Sequence, residues 1–313
     1  MRALALASFD VPAAMMDVPE PVAGPGEVLV RVRAASVNSY DLGVAAGFMK
    51  DYLPYEFPAV IGNDVVGTIE ALGEGVDGFS IGDRVFGTMG SKPAIHDGGF
   101  AELANPQAAA VAKTPDALFD QDAGSLGVAG TTAMSAVEAV APREGARVLV
   151  IGATGGVGTF AIQLAALRDA HVIASVRPGD ESFVTDLGAG ETVDYTADLI
   201  ATIRERYPDG IDAVIDAVNR DQGAFAALAS LVRDGGRATS VVGGAGESTT
   251  EVAAVSVSNT GGHPPFLPAL ADLVVQGMVR VAIRRTYALD DAVQALQDFT
   301  TQHTLGKLVI SIG

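Results

Sequence analysis

The sequence predicts an α/β fold in which a doubly wound parallel sheet accompanies an all-β region. Three observations support this prediction. Residues 1 to about 120 contain many short strand patterns with frequent turn signals. From about residue 123, strand patterns alternate with helical ones, as is typical of parallel sheets. Within this second region, one strand and the helix after it are joined by a glycine-rich turn.

The glycine-rich turn follows Val148 to Ile151, an apolar run that suits a strand buried on both faces. Its seven residues are Gly152, Ala153, Thr154, Gly155, Gly156, Val157 and Gly158. The helical stripe after it comprises Val157, Phe160, Ala161, Leu164 and Ala165. Glycines let a backbone approach a pyrophosphate, which the N–H groups and dipole of a helix start stabilise. The spacing is G-x-x-G-x-x-G rather than G-x-G-x-x-G, so a turn without a ligand is the alternative interpretation.

The other elements follow from periodicity and turn residues. In the first region we predict strands at Val28 to Val32 and Val65 to Ala71. In the second region we predict helices at 132–140, 180–188, 197–206 and 221–233, and strands at 171–175, 192–194, 211–216, 237–242 and 252–257. The last part of the chain predicts a strand at 279–283, an amphipathic helix at 289–301 and a strand at 307–312.

Composition excludes several classes of function. The 313 residues include no cysteine, which excludes disulfides, thiolate nucleophiles and cysteine-ligated zinc. The net charge of −18 argues against a general affinity for nucleic acid or anionic membranes. No unbroken apolar run reaches the roughly 18 residues of a membrane span. The opening residues MRALALASFDVP read as a strand and turn rather than a signal peptide, so we expect a cytoplasmic protein.

Several segments carry a family resemblance along nearly the whole chain. They are MRALAL, PGEVLVRVRAASVNSYD, IGNDVVGTIEALGEGVDGFSIGDRVFG, GGFAEL, GVAGTTAMSAV, ARVLVIGATGGVGTFAIQLA and LGKLVISI. In this order they resemble the medium-chain dehydrogenase/reductase superfamily. The resemblance implies a GroES-like β-barrel domain formed by residues 1–122 and 278–313. It also implies a Rossmann domain at 123–277, inserted into the first, with the active site in the cleft.

The resemblance also implies a branch of that superfamily. Zinc-dependent members carry a cysteine, a histidine and a glutamate where this chain has Asn38, Asn63 and Asp64. We therefore expect no metal, and the chain resembles the zinc-independent, zeta-crystallin-like quinone oxidoreductases. In that branch Asn38 and Asp41 occupy the catalytic loop. A tyrosine often found two places after the aspartate is Gly43 here, so Tyr40 or Tyr52 would have to cover the same space.

Cofactor choice depends on the end of the strand at 171–175. NAD-specific folds place an acid there to bind the ribose 2′-OH, whereas this chain has Ser175 and Arg177. A hydroxyl and a guanidinium suit a 2′-phosphate, which predicts NADP(H). The resemblance adds Tyr195 near the same phosphate. The alternative for Arg177 is a solvated surface arginine, and the alternative for Tyr195 is a tyrosine that packs in the core.

The nicotinamide side of the cofactor is assigned to residues after neighbouring strands. Asn219 follows one strand end, and Val242 and Gly243 end the next, where loops meet ligands in open α/β sheets. Thr132 matches a family threonine beside the cofactor, or is simply a hydroxyl at a helix start.

The predicted activity is hydride transfer from NADPH to a small-molecule electron acceptor, a quinone or another α,β-unsaturated carbonyl. Asn38 is the candidate for a hydrogen bond to the acceptor oxygen, while Asp41 either holds that loop or is purely structural. One alternative is an enoyl or enone reductase of a thioester or secondary metabolite, and another is a non-catalytic NADPH-binding protein. The resemblance also implies a homodimer paired through the last Rossmann strand, for which Glu251 to Ser258 is the candidate.

Overall fold

The structure, a computed structural model, describes residues 1–245, 252–256 and 264–313. Over these residues the chain forms two compact units. The first unit contains residues 1–131, 264–277 and 283–313, and the second contains 132–245, 252–256 and 278–282. The predicted combination of a GroES-like unit and a parallel Rossmann-like sheet is confirmed.

The first unit is mostly β-structure. Its strands and helices before residue 131 are β1 (Arg2–Leu6), β2 (Ala14–Asp17), β3 (Val28–Ser36), α1 (Ser39–Ala45), β4 (Ala59–Val60), β5 (Asp64–Leu72), β6 (Arg84–Thr88), β7 (Leu103–Ala104), β8 (Val111–Lys113) and α2 (Asp120–Ala123). A π-helical turn follows at Leu126–Gly130. Along β3, Val28, Val30 and Val32 are buried while Arg31 and Arg33 are exposed, so the strand has one core face and one solvent face.

The second unit alternates strands with helices. Its elements are α3 (Thr131–Val140), β9 (Arg147–Ile151), α4 (Gly156–Ala166), β10 (His171–Val176), α5 (Glu181–Thr185), β11 (Glu191–Asp194), α6 (Leu199–Arg206), β12 (Ile211–Asp216), α7 (Gln222–Ala229), β13 (Val232–Ser240) and β14 (Ala253–Ser256). The sheet has the order β11-β10-β9-β12-β13-β14, and all of its pairs are parallel. Strands β9 to β13 therefore end at one edge, which we call the carboxyl edge.

The remaining elements are α8 (Leu267–Val275), β15 (Ile283–Ala288), α9 (Ala292–Thr301) and β16 (Lys307–Ser311). Strands β15 and β16 join the first unit's larger sheet, in the order β15-β16-β3-β5-β6-β8, with β7 also paired to β3. Helix α8 groups with the first unit, because Leu267 lies against Gly87 and Leu270 lies against Gly130. The predicted boundaries had placed α8 in the Rossmann domain.

Two predicted elements differ from the structure. The helix predicted at 221–233 ends at Ala229, and β13 begins at Val232. The strand predicted at 279–283 is absent from this described part of the chain, where β15 begins at Ile283. The buried side-chain amide of Gln163 takes the place of a strand partner, since it donates to Arg280 O at 2.9 Å and accepts from Arg280 N at 2.7 Å. None of the described helices is long and apolar enough to cross a membrane.

Candidate active site

The glycine turn leaves β9 at the carboxyl edge and leads into α4. Gly152 has φ +75°, a conformation that side chains disfavour. A Cβ added to Gly158 would lie 2.1 Å from Gly152 O, so only glycine allows this close packing. Helix α4 begins after Gly155, has no acidic residue in its first turn, and has no side chain capping its N–H groups. Its start therefore presents the positive end of the helix dipole to an anion.

Ser175 and Arg177 leave β10 in different environments. Ser175 is buried, and its Oγ accepts a hydrogen bond from Gly152 N at 3.2 Å. It thus supports the glycine turn, and its contact with a phosphate stays a prediction. Arg177 is exposed and donates from Nε to the Tyr195 hydroxyl at 2.6 Å. The structure therefore brings Arg177 and Tyr195 together at the ends of adjacent strands.

The loops after β12 and β13 meet at the same edge. Asn219 is held by Asp216, a fully buried carboxylate that accepts from Asn219 N and Nδ2, both at 3.1 Å. In the neighbouring loop, the buried Ser240 hydroxyl accepts from Val242 N at 3.3 Å and from Gly244 N at 3.0 Å.

Gly243 adopts φ +84°, and a Cβ added there would meet no atom within 4 Å. The sequence reasoning missed Asp216 and Ser240 as the anchors of these loops. The available signal was their place as the last residues of two buried strands.

Thr132 lies on a different helix from the predicted phosphate-binding residues. It is buried in the first turn of α3, the helix that precedes β9. Thr154, Gly155, Gly156 and Val157 all lie in the turn or the first turn of α4, as predicted. Contacts of these residues with a cofactor stay predictions.

The first unit contains a second group of polar residues, all less than 9% exposed. We call it the buried polar cluster; its members are Ser36, Asn38, Asp41, Asn63, Asp64 and Lys307. The sequence from Asn38 to Asp41 explains part of this cluster, because an N-cap residue and an acid three places later can cap the start of a helix. Asn38 precedes α1, and Asp41 Oδ2 accepts from Asn38 N at 2.7 Å.

Asn38 is fully engaged within this cluster. Its Nδ2 donates to Ser36 O at 3.1 Å and to Asp64 Oδ2 at 2.8 Å, and its Oδ1 accepts from Lys307 Nζ at 2.6 Å. Both amide hydrogens are therefore used inside the protein. The predicted hydrogen bond from Asn38 to an acceptor oxygen would require one of these bonds to break.

Two carboxylates share the cluster with one ammonium group. Burial, reinforced by repulsion from Asp64, raises the pKa of Asp41 to about 7. Burial also raises the pKa of Asp64, although Lys307 and hydrogen bonds from Ser36, Asn38 and Val128 N oppose the shift. Burial lowers the pKa of Lys307, against the attraction of Asp64 and Asp41. Asp41 thus holds a proton closer to neutral pH than an ordinary aspartate does.

A pocket of about 80 Å³ lies within the first unit and shares Asn63 with the cluster. Its apolar lining includes Val44, Leu53, Val60, Met89 and Ile95, and its polar lining includes Tyr40, Asn63, Lys92 and Asp97. Tyr40 lines the pocket, whereas Tyr52 is 79% exposed and does not. Of the two tyrosines that the sequence left open, Tyr40 is thus the one that lines this pocket, and its role stays a prediction. Burial raises the pKa of Tyr40, which keeps its hydroxyl protonated.

Comparison with known proteins agrees with this architecture. The alcohol dehydrogenase GroES-like domain matches residues 24–116, and the zinc-binding dehydrogenase family matches residues 187–310. A quinone oxidoreductase of Lama guanicoe is 31% identical over 332 residues, covering 99% of this chain and 97% of its own length. The chain belongs to the quinone oxidoreductase family of the medium-chain dehydrogenase/reductase superfamily.

Two further relatives support the family's oxidoreductase character. A chloroplast envelope quinone oxidoreductase homolog of Arabidopsis thaliana is 29% identical, covering 99% of this chain and 98% of its own length. The solved structure of mycobacterial Rv1454c complexed with NADPH has a TM-score of 0.83 and 29% identity, covering 99% of this chain and 100% of that one. The chain is accordingly an oxidoreductase. Its family includes proteins that bind a nicotinamide cofactor.

Although one matching family is described as zinc-binding, the buried polar cluster does not fit a zinc ion. Zinc requires sulfur, imidazole or carboxylate donors arranged around an open centre. Here the Lys307 ammonium already supplies the positive charge, and the Asp64 oxygens are taken by Ser36, Asn38 and Val128. Across residues 1–245, 252–256 and 264–313 no group of three or more His, Cys, Asp or Glu residues could hold a metal.

Proposed function

We propose that this oxidoreductase uses NADPH to reduce a quinone or another α,β-unsaturated carbonyl. The observation that carries the proposal is the Arg177–Tyr195 pair beside the glycine turn. A guanidinium and a phenol at the ends of β10 and β11 suit a 2′-phosphate, whereas an NAD-specific site would have an acid there. The NADPH complex of the mycobacterial relative supports the same choice.

The residues of the carboxyl edge fit a dinucleotide. The glycine turn and the start of α4 would hold its pyrophosphate, because this helix start has neither a capping side chain nor an acidic residue in its first turn. Asn219, Val242 and Gly243, in loops fixed by Asp216 and Ser240, would hold the nicotinamide half. When bound, NADPH supplies the hydride, so the protein needs only to orient the reactants, exclude water and polarise an oxygen.

On the acceptor side we propose the pocket lined by Tyr40 and Asn63, which we call the acceptor pocket. Because the hydrogens of Asn38 Nδ2 are engaged, the Tyr40 hydroxyl is the better candidate to donate to the acceptor oxygen. The raised pKa of Tyr40 keeps that proton in place at neutral pH. Apolar walls with a few polar groups suit the carbonyl end of a neutral acceptor.

The charges around the acceptor pocket favour a neutral acceptor over a thioester on a phosphorylated carrier. Lys92 lies at 2.9 Å from Glu27 Oε1 and 3.2 Å from Asp97 Oδ2, so two carboxylates neutralise it. A carrier phosphate would need an uncompensated cation near the entrance. This disfavours the enoyl thioester reductase but does not test it. That enzyme and the non-catalytic NADPH-binding protein are the two alternatives that an experiment must separate.

A screen of NADPH oxidation against quinones, enones and enoyl thioesters tests the proposal. We expect turnover with quinones or simple enones, and a raised KM for that acceptor in Tyr40→Phe. The matched control is Tyr52→Phe, which changes an exposed tyrosine outside the pocket. Faster turnover of thioesters would favour the first alternative, and tight NADPH binding without any turnover would favour the second.

We also propose that the reaction needs no metal, because the Lys307 ammonium already provides the positive charge of the buried polar cluster. Elemental analysis of active protein and treatment with a chelator are the checks. A stoichiometric zinc ion whose removal abolishes turnover would refute this. A cytoplasmic location likewise stays a prediction, which cell fractionation can test.

A further inference from the structure

Lys307 is a lysine buried in the core of the first unit. It begins β16, opposite the end of β3, and only 3% of it is exposed. An ammonium without partners costs several kcal/mol to bury, so its environment must compensate for the charge. Its Nζ donates to Val37 O at 3.0 Å and to Asn38 Oδ1 at 2.6 Å. Both acceptors belong to the segment that enters α1.

The cluster carries an excess of negative charge around that ammonium. Asp64 and Asp41 both interact electrostatically with Lys307, and both are fully buried. With both carboxylates ionised the cluster would have a net charge of −1, which burial opposes. A proton on Asp41 removes that charge, in keeping with its raised pKa. Besides Asp64 and Lys307, Tyr40 on the same helix interacts electrostatically with Asp41.

A chain of hydrogen bonds joins Lys307 to the acceptor pocket. The ammonium holds the Asn38 side chain at 2.6 Å, and Asn38 N donates to Asp41 Oδ2 at 2.7 Å. Asp41 Oδ1 in turn accepts from Asn63 N at 2.9 Å. Asn63 lines the acceptor pocket, as does Tyr40, the residue before Asp41. Each link is buried, so loss of the Lys307 ammonium takes a donor from Val37 O and Asn38 Oδ1 and weakens the support of the links that follow.

We infer that Lys307 is a positioning residue for the acceptor pocket, acting through Asn38 and Asp41 on Asn63 and Tyr40. It touches no acceptor itself. Its ammonium holds the loop before α1 through Val37 O and Asn38 Oδ1 and offsets one of the two buried carboxylate charges, so that the pocket keeps its shape. The inference rests on the proposed function for the identity of the pocket's ligand, but its electrostatic part does not.

The test uses Lys307→Met, which keeps a long apolar stem and removes the charge. We expect the quinone KM to rise on the order of ten- to a hundredfold, because small misplacements of a site have large effects. NADPH affinity should stay within about twofold, since Lys307 donates to Val37 O and Asn38 Oδ1, and neither residue belongs to the predicted cofactor set. The matched control is Lys113→Met, which removes an exposed lysine paired with Asp83.

A second readout separates positioning from a general structural role. Without the ammonium, the Asp41 pKa should rise further, by about one to three units, because an opposite charge nearby lowers a carboxyl pKa by that amount. Carbon-13 NMR of the Asp41 carboxyl measures this in the folded variant, whether or not the enzyme turns over. The Asn63 amide resonance should shift as well.

If Lys307→Met does not fold, the double variant Lys307→Met with Asp64→Asn removes one charge of each sign. It tests in the same way whether the pocket depends on the hydrogen bond from Lys307 to Asn38. Unchanged quinone KM, Asp41 titration and Asn63 resonance in a folded variant would overturn the inference. By contrast, wild-type protein that binds NADPH but reduces no quinone or enone counts against the proposed function. In that case the NMR measurements alone decide the role of Lys307.

Discussion

At the scale of single residues, the buried polar cluster shows how one side chain changes the role of another. Asn38 was the expected donor to the acceptor oxygen, yet Ser36 and Asp64 take both hydrogens of its side-chain amide, and Lys307 donates to its oxygen. Buried amides seek partners for every hydrogen because an unmade bond costs about 1–3 kcal/mol. The donor role therefore passes to Tyr40 in our proposal.

The first residue-scale prediction concerns Arg177. Replacing it with alanine should weaken NADPH binding by about 1.5–3 kcal/mol, the value of a hydrogen bond to a charged group, and leave NADH binding unchanged. Isothermal titration of both cofactors measures this. Arg204→Ala is the control, because Arg204 is an exposed arginine of the same unit that bonds to Ser230 instead. Equal affinities of the wild type for NADPH and NADH would disprove the assignment.

A second prediction concerns the pH dependence of stability. Asp41 has a pKa of about 7 in the folded protein and 3.8 as its ordinary value. Between these pH values the native state holds more protons than the unfolded state, so the free energy of unfolding falls as pH rises from about 4 to 7. Asp41→Asn mimics the protonated carboxyl and should reduce that fall. Urea unfolding at pH 5 and pH 7 provides the comparison, and an equal fall in both proteins would contradict it.

At the scale of elements, parallel pairing determines where the cofactor residues lie. Strands β9 to β13 run in one direction, so the residues after each strand collect at the carboxyl edge. Elements were harder to delimit where local and tertiary signals disagree. The pattern at 221–233 continues as a helix in sequence, but Ser230 closes the helix by donating to Ala227 O, and Val232 then pairs with Ile211.

The element-scale prediction concerns the turn into α4. Gly158→Ala should destabilise the protein by about 1–3 kcal/mol, because its Cβ would overlap Gly152 O at 2.1 Å. Gly155→Ala is the matched variant, since its Cβ would lie at an ordinary 3.4 Å from the same oxygen and its φ is −78°. It should fold nearly as well but bind NADPH more weakly, because a methyl group enters the phosphate site. Thermal unfolding with and without NADPH measures both effects, and equal stability of the two variants would argue against this packing.

At the scale of the whole molecule, we propose a homodimer that pairs through β14. Within the described residues β14 is the last strand of its sheet, next to β13. Val255 is 37% exposed on this strand. A last strand without lysine, arginine or proline invites pairing with its own copy across a twofold axis. Glu251, Val257 and Ser258, the other parts of the predicted segment, lie outside the described residues.

Light scattering at micromolar concentration tests the homodimer, and we expect twice the mass of the 31.8 kDa chain. Val255→Pro should weaken the pairing by deleting a ladder donor, and Val255→Lys should weaken it by charge while leaving the backbone intact. The control is Val218→Lys, which adds the same charge at a 56% exposed valine away from β14. A monomeric mass for the wild type would count squarely against the dimer.

Local patterns were sufficient to predict much of this protein from its sequence. The fold class, the glycine turn at 152–158 and the strand ends that carry Arg177, Asn219 and Gly243 all follow from periodicity, glycine positions and parallel topology. Tyr195 came from the family resemblance, and the structure brings it to Arg177. These features depend on residues close in sequence or on rules shared by all parallel sheets, so they can be read before the chain is folded.

Tertiary structure alone decided the rest. Lys307 lies 269 positions from Asn38 in the chain, and no local pattern distinguishes a buried lysine from one on the surface. The same holds for Gln163 and Arg280, which are 117 positions apart. In each case the cost of burying an unpaired polar group selects the partner, and that cost exists only once the core has formed around both. The sequence by itself predicted most of the elements and the strand ends where we expect a dinucleotide, while packing determined which polar groups became each other's partners.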